Sequence, residues 1–297
     1  AENYSIDAIR FLLALAGETG LEDANIEFSK IKDVEEELKQ IYNFAIENYN
    51  KGRENENFID EWFLNFLAKK IEEAEKFYEK LMFKSVLEKC YFEVKNAWKW
   101  YLKRVQPSKK CINAYIDYLL SILYPIVPHL ISEIYEKIKG FEFALNPKWF
   151  EIEKKYDKKI EALEEIVKEV ENDIKNIFEI LKKKKIEKVN KIKIIIASKE
   201  KFEIANWIKN NLEKGFNQIL KEAKEKNYNI KTVKRILDNL KALELLTSQD
   251  LEYEYLNASK NYFEQIFNCK VEIEKEEGSK EGKKEVAIPS KPAILIE

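Results

Sequence analysis

Apolar residues recur with the 3.6-residue period of an amphipathic helix through the first half of the chain. This period predicts six helices, over residues 4–17, 31–51, 58–80, 82–105, 109–124 and 128–139. Gly52 follows the second helix, and Pro125 and Pro128 lie between the last two, so the connections are short. Long helices with short connections favour an antiparallel helix bundle over residues 1–156.

The pattern changes after residue 156. A charged helix over residues 157–185 precedes the β-branched run 191–197, which begins with the alternation of a strand. The remaining pattern predicts helices over 200–213, 214–226, 230–243 and 258–267, and strands over 270–274 and 293–297. Residues 275–285 contain no apolar side chain, and we expect them to form a mobile surface loop. The predicted fold class is mainly α, an antiparallel bundle over 1–156 followed by a small α+β domain over 157–297.

Composition excludes several classes of protein. The chain has 52 Lys and Arg against 54 Asp and Glu, so its overall charge of −2 indicates no acidic partner. Three widely spaced cysteines form neither a disulfide framework nor a zinc motif, which favours a reducing compartment, the cytoplasm. We expect no membrane span, because no apolar run reaches the required length of about 20 residues. The chain begins without Met, in the approach to a helix, and we expect it to be a piece of a longer protein.

Catalytic motifs are absent from the sequence. His129 is the single histidine, and it follows Pro128 at a predicted helix start. The simplest interpretation is a ring held by packing and one hydrogen bond. No phosphate-binding loop, dinucleotide fingerprint, nucleophile elbow or Cys/His ligand set occurs. We therefore expect no catalytic residue, no metal site and no cofactor in this chain.

Basic residues concentrate between Lys182 and Lys241, a segment that we call the basic window. It holds 18 basic and 7 acidic side chains. Such a cluster gains affinity for nucleic acid by releasing counterions from phosphates, although a Lys-rich protein also carries many lysines on solvated helix faces. The candidate phosphate contacts on one helical turn are Lys231, Lys234 and Arg235. Those near the first strand are Lys182 to Lys185, Lys188, Lys191 and Lys193.

A second candidate cluster mixes aromatic and basic side chains at the end of the fourth predicted helix. Its members are Lys99, Trp100, Lys103 and Arg104, with Tyr101 beside them. Aromatic rings and cations together suit base stacking and phosphate contact in RNA. The alternative is an aromatic face in the core with lysines exposed around it.

Five segments resemble, in order, the region that follows the catalytic domain in class I aminoacyl-tRNA synthetases. They are YSIDAIRFLL (4–13), IDEWFL (59–64), WKWY (98–101), LYPIVPHLISEIY (123–135) and PSKPAILIE (289–297). The combination is similar to the archaeal and eukaryotic type of leucyl-tRNA synthetase. Tyr135 stands where that family usually has tryptophan, and it retains an aromatic body.

The resemblance implies a function in tRNA binding. The bundle would pack along the tRNA, and the α+β domain would hold the long variable arm of tRNA(Leu). In the family, the C-terminal segment reads this arm. The residues of that segment here include Lys291, Ile296 and Glu297. The catalytic motifs and editing domain would lie upstream, together with the sites for ATP and Mg²⁺, so we expect this chain alone not to activate leucine. Its expected partners are tRNA(Leu) and the rest of the synthetase, in a monomeric protein.

Two alternatives remain open from the sequence. One is the equivalent region of another class I synthetase. The other is a helical scaffold that binds a protein through an aromatic face and does not bind RNA. The salt dependence of binding distinguishes this scaffold from an RNA-binding protein. RNA binding weakens steeply as ionic strength rises, whereas binding through a hydrophobic interface does not.

Overall fold

A computed structural model describes residues 4–17, 26–145, 147–152, 155–184, 189–279 and 285–297. The chain divides into two compact units, Ala1–Tyr156 and Asp157–Glu297. Within the described ranges, no helix combines the length and the apolar character needed to cross a membrane.

The first unit is helical, as predicted. Its helices are α1 (Ile6–Ala16), α2 (Ile31–Asn48), α3 (Phe58–Glu79), α4 (Phe83–Ser85), α5 (Glu93–Arg104), α6 (Lys109–Leu123), α7 (Pro128–Lys139) and α8 (Phe141–Leu145). A π-helical segment, Val86–Phe92, continues α4 into α5. The one helix predicted over 82–105 is therefore interrupted by a wider turn.

Aromatic side chains fill the core of the bundle where α3, α5 and α6 meet. The Trp98 and Tyr115 rings stack with their centroids 4.5 Å apart, and those of Phe63 and Tyr101 stack at 5.1 Å. Stacked and edge-on ring pairs stabilise a core beyond their buried area. The aromatic residues predicted on the third and fourth helices thus largely face the interior.

The buried face of α1 differs from the predicted one. Ile6 and Leu13 lie on the apolar stripe, which the helical period predicts to be buried, but they are 60% and 50% exposed. The residues that pack inside are Ala8, Phe11 and Leu12. The helix is rotated relative to its apolar stripe because polar side chains on it bind α7 and the segment before it, as described below.

The second unit combines helices with a small sheet, and so confirms the α+β prediction. Its helices are α9 (Lys158–Lys183), α10 (Lys199–Lys209), α11 (Phe216–Glu225), α12 (Ile230–Leu237), α13 (Leu240–Glu244), α14 (Gln249–Ala258) and α15 (Lys260–Phe267). Its strands are β1 (Lys191–Ile196), β2 (Lys270–Lys275) and β3 (Ala293–Ile296), in the order β2-β1-β3.

The central strand β1 pairs on both sides. It runs parallel to β2, with Ile194 opposite Ile273, and antiparallel to β3, with Ile194 opposite Ile294. Residues 192 and 194–196 of β1 are all fully buried. A strand covered on both faces needs an apolar run rather than alternation, which explains its Ile-rich sequence.

The helix prediction was wrong at two places in this unit. The single helix expected over 230–243 is two helices, because Asn239 leaves the helical conformation and its side-chain amide donates to the Arg235 carbonyl over 2.8 Å. Helix α14 was not predicted, although Ser248 caps it by accepting the Leu251 N–H.

Part of the expected mobile loop is structured. Glu276–Gly278 forms a 3₁₀ turn. The Glu276 carboxylate accepts the Ser198 N–H over 2.8 Å, and the Glu277 carboxylate accepts the Lys199 N–H over 2.8 Å. These bonds hold the turn at the start of α10. Residues 280–284 of the predicted loop lie outside the described residues.

Candidate nucleic-acid interface

Helix α12 exposes two of the predicted phosphate contacts. Asn229 caps the helix by accepting the N–H groups of Lys231 and Thr232, at 3.0 and 3.2 Å. Val233 and Ile236 are buried, so the opposite face of the helix carries Lys231 and Lys234. Both lysines are exposed, and neither forms an ion pair with another described residue. They remain available for an anionic partner.

Arg235 has a different environment from its two neighbours. Its side chain is half-buried, and Nη1 donates to the Glu285 carbonyl over 2.8 Å. It therefore holds the segment that leads into β3. The helical spacing alone placed Arg235 with Lys231 and Lys234, but its hydrogen bond gives it a structural contact that they lack.

Several lysines of the basic window are neutralised within the second unit. The pairs are Lys191–Glu272, Lys193–Glu297, Lys201–Glu276, Lys214–Glu222 and Lys241–Glu169. The positive charge is therefore less widely distributed than the sequence indicates. Lys182, Lys183 and Lys184 are exposed at the C-terminal end of α9, whereas Lys185 and Lys188 lie outside the described residues.

The predicted arm-reading residues at the chain end are built into the sheet. Ile296 pairs with Ile192 in the β1–β3 ladder. The Glu297 N–H donates to the Lys191 carbonyl over 2.9 Å, and the Glu297 main-chain oxygen accepts the N–H groups of Asn190 and Lys191 at 2.8 and 3.0 Å. The Glu297 side chain also pairs with Lys193 over 2.7 Å. These contacts fix the position of the chain end.

A cavity of about 440 Å³ lies among α9, α12 and the segment that includes β3. It brings together two predicted residues, Arg235 and Lys291, with Asp173, Asn176 and Asn239 at its polar parts. The Lys291 ammonium donates to the Asn239 side-chain oxygen over 3.1 Å. Apolar lining comes from Ile177, Val286, Ile288, Pro292, Ala293 and Ile294. Cations and amides beside an apolar surface can receive a planar base and its phosphate.

The second candidate cluster lies at the C-terminal end of α5. The Lys103 Nζ and the Arg104 guanidinium carbon lie 6.0 and 5.9 Å from the centroid of the half-buried Trp100 ring. Lys99 is exposed one residue before it. Cations in the last turn also interact favourably with the helix dipole. Tyr101 is buried, so it belongs to the core rather than to this surface.

Two sequence motifs of the first unit meet at the start of α7. The Asp7 carboxylate accepts the Leu130 N–H over 2.7 Å and lies 3.0 Å from Nδ1 of His129. Arg10 donates to the carbonyls of Ile126 and Pro125, at 2.7 and 2.9 Å. This joint is structural: it fixes α1 against the helix that follows the two prolines. The His129 side chain is 72% exposed, so the expected hydrogen bond is present but the expected packing is not.

A buried carboxylate organises the start of α3. Asp60 is fully buried and accepts from the Arg53 guanidinium over 2.6 Å, from the Asn57 N–H over 2.7 Å and from the Tyr101 hydroxyl. The Tyr101 oxygen in turn accepts the Ser108 N–H over 2.9 Å. Burial, then the nearby Cys111 and the bond to Asp60, raises the pKa of Tyr101. The resemblance included Asp60 and Tyr101, but spacing gave no sign of Arg53, the partner of Asp60.

A close backbone approach precedes this network. A Cβ on Gly52, whose φ is +121°, would lie 2.6 Å from the Lys109 nitrogen. Arg53 exchanges backbone hydrogen bonds there with Pro107 and Lys109, at 3.2 and 2.9 Å. Gly52 was interpreted as the stop of the preceding helix, which ends at Asn48. Its position against the chain at 107–109 explains the need for glycine.

The described part of the chain gives little support for a metal site or for a nucleophilic thiol. There, no group of three or more His, Cys, Asp and Glu side chains is placed to hold a metal ion. The buried thiols of Cys90 and Cys111 have pKa values raised to about 12, chiefly by burial. Thiols so protonated are poor nucleophiles.

Comparison with known proteins agrees with the resemblance. Residues 60–196 match the family described as the anticodon-binding domain of tRNA ligase, from α3 in the first unit to β1 in the second. The chain is 27% identical to a leucine–tRNA ligase of Methanococcus maripaludis and 26% identical to one of Aeropyrum pernix, over 100% and 99% of its length. It is 28% identical to that of Pyrococcus horikoshii over 90% of its length.

The chain spans only a part of these relatives, 31% of the proteins from Methanococcus maripaludis and Aeropyrum pernix and 28% of that from Pyrococcus horikoshii. The aligned part includes both structural units. Residues 60–196 thus match the anticodon-binding domain of tRNA ligases, and over its whole length the chain is similar to archaeal leucine–tRNA ligases.

Proposed function

We propose that this chain is the tRNA-binding part of a leucine–tRNA ligase and docks tRNA(Leu) for a catalytic domain elsewhere in the parent protein. The parent would join leucine to the tRNA with ATP and Mg²⁺, both bound outside this chain. We further propose that the parent acts as a monomer.

The observation that carries the proposal is the relation of both units to leucine–tRNA ligases. The surface chemistry supports it. Lys231 and Lys234 are exposed on α12, and Trp100 is flanked by cations on α5. Phosphates attract such cations, and a half-exposed indole ring can stack on a base.

The second unit would recognise the long variable arm. Its support is the cavity beside Arg235 and Lys291 and the position of the chain end in the sheet. Unpaired bases in RNA arms and loops present edges and faces that such a surface can contact. The first unit would contact the tRNA body through Lys99, Trp100, Lys103 and Arg104.

Charge reversal of Lys231→Glu and Lys234→Glu together tests the phosphate contacts. Arg235 is left unchanged because its bond to Glu285 supports the fold. We expect affinity for a leucine tRNA transcript to fall more than tenfold. The slope of log affinity against log salt concentration should become shallower by about 2, since about 0.9 counterion is released per contact.

A matched control changes Lys158→Glu and Lys159→Glu, which are exposed in the first turn of α9. The net charge changes equally in both double variants. Equal losses of affinity in the two would show a general charge effect and contradict a contact on α12. Absence of binding to the transcript even at low salt would favour a protein-binding scaffold instead.

A further inference from the structure

The last part of the chain, residues 285–297, which we call the tail, combines buried apolar side chains such as Ile288 with main-chain hydrogen bonds to neighbouring elements. Its described contacts to side chains of three helices involve backbone groups of Glu285, Ala287 and Ser290. Its final residues pair with β1. The main-chain bonds add to the burial of the tail's apolar side chains in fixing where the tail lies.

Lys201 anchors the beginning of the tail from α10. The residue is 8% exposed, and its ammonium group donates to the carbonyls of Glu285 and Ala287, at 3.1 and 2.8 Å. Its third contact is the Glu276 carboxylate at 2.9 Å. An ammonium group has three N–H donors, so all of them are used. A buried charge with full partners is bound in one place, and it leaves no donor for RNA.

Glu252 anchors the middle of the tail from α14. It is fully buried, and one carboxyl oxygen accepts the Ser290 N–H over 2.9 Å. Ser290 lies in a tight turn in which Ile288 and Lys291 exchange backbone hydrogen bonds at 3.2 and 3.0 Å. Its φ of 62° is in the left-handed region, which a serine rarely adopts. The bond to Glu252 stabilises this unusual conformation.

The two anchors hold the tail at Glu285, Ala287 and Ser290, next to the tail residues 286, 288 and 291–294 that line the cavity. Lys291 follows the turn held by Glu252 directly, and β3 begins two residues later. The direction of the Lys291 side chain therefore depends on the turn. The register of β3, and with it Ile296 and Glu297, depends on the same short connection.

We propose that Lys201 and Glu252 are positioning residues for tRNA recognition, which fix the main chain of the tail so that its exposed groups meet the variable arm. Neither side chain contacts RNA. This inference rests on the proposed function, because it assumes that the tail takes part in binding tRNA(Leu).

The test combines two measurements on Lys201→Met and Glu252→Met, both made in this chain. Hydrogen exchange reports the protection of the tail amides. Titration with a leucine tRNA transcript, and with the same transcript carrying a shortened arm, reports the preference for the long arm. Glu252→Gln keeps the acceptor for the Ser290 N–H and is the conservative variant. Lys209→Met and Glu254→Met make the same substitutions at exposed positions on α10 and α14.

We expect the tail amides of both Met variants to lose protection from hydrogen exchange. The ratio of long-arm to short-arm affinity should fall at least tenfold, while the affinity for the short-arm transcript stays nearly constant. Glu252→Gln should restore both properties, and the two control variants should keep them. A purely structural role of Glu252 in the whole unit would lower both affinities and protection everywhere.

Two results would overturn the inference. One is an intact long-arm preference after the tail has lost protection, and the other is lost preference with a protected tail. If wild type shows no long-arm preference while the exchange results hold, the proposed arm recognition fails and the anchoring of the tail stands. Should a Met variant fail to fold, the comparison of Glu252→Gln with Glu254→Met decides: unequal tail protection in these two would contradict the inference.

Discussion

At the scale of single residues, several buried ionisable side chains of this protein bind main-chain atoms. Asp7 accepts from Leu130, Asp60 from Asn57 and Glu252 from Ser290, while Lys201 donates to two carbonyls. A bond to the backbone does not depend on the neighbour's side chain, and it is stronger than a neutral bond where the side chain is ionised. The bonds of Asp7, Glu252 and Lys201 join segments that are far apart in the chain.

Glu252 gives the stability a pH dependence. Burial raises its pKa to about 8, from an ordinary value of 4.5. Between these values the folded state binds more protons than the unfolded state, so the free energy of unfolding falls as the pH rises. The slope from this group is at most about 1.4 kcal/mol per pH unit and vanishes above pH 8. Urea unfolding of wild type and Glu252→Gln from about pH 5 to about pH 8 measures the difference.

The variant Glu252→Gln should lose this contribution, so its stability relative to wild type improves steadily towards pH 8. Glu254→Gln, at an exposed position of the same helix, is the control and should follow wild type. A constant difference between wild type and Glu252→Gln across the range would contradict the raised pKa.

Tyr101 links two segments through its hydroxyl group, which donates to Asp60 and accepts from the Ser108 N–H. We expect Tyr101→Phe to lower the free energy of unfolding by about 1–3 kcal/mol, because it leaves a buried N–H without its acceptor. Chemical denaturation measures the loss. Tyr4→Phe, at a 41% exposed tyrosine, should change stability by less than about 0.5 kcal/mol. Equal effects in both variants would show that the buried bonds contribute nothing.

At this scale the sequence identified which types of side chain form a site better than it identified their burial and their hydrogen-bond partners. It could find the basic turn on α12, because helical spacing brings Lys231, Lys234 and Arg235 together. It could not separate Arg235, whose partner Glu285 lies 50 residues away. For the same reason it missed Lys201 and Glu252, since nothing local distinguishes a buried lysine or glutamate from the many exposed ones.

At the scale of elements, the period at which apolar residues recur predicted most helices and all three strands. The errors arose where side chains compete with the backbone or where polar contacts outweigh the apolar stripe. Asn239 ends α12 early, and the joint made by Asp7 and Arg10 turns Ile6 and Leu13 of α1 towards solvent. The π-helical segment was also missed; in it the Cys90 carbonyl accepts from the Tyr118 hydroxyl over 2.8 Å.

The joint between α1 and α7 makes a prediction about helix capping. Asp7→Ala removes the acceptor for the Leu130 N–H in the first turn of α7, and we expect a loss of about 1–2 kcal/mol. Asp7→Asn keeps an acceptor and should lose less. His129→Ala should change little, since the ring is 72% exposed. Thermal and urea unfolding compare the three variants. A larger loss in His129→Ala than in Asp7→Ala would contradict a capping role for Asp7.

At the scale of the whole molecule, charge is unevenly distributed between the units. The chain to Asp157 has 23 basic and 28 acidic residues, whereas the basic window has 18 and 7. Internal pairs such as Lys214–Glu222 and Lys241–Glu169 reduce this excess, and exposed lysines on α12 and at the end of α9 retain it. A tRNA that contacts both units would meet its strongest positive field in the second.

The central claim is that the second unit recognises the long variable arm of a leucine tRNA. The most direct measurement is a titration of this chain with a leucine tRNA transcript and with the same transcript carrying a shortened arm, at low and at moderate salt. We expect tighter binding of the long-arm transcript at both salt concentrations, with both affinities falling as salt rises. Equal affinity for the two transcripts would contradict arm recognition, and absence of binding to either would contradict the proposed function as a whole.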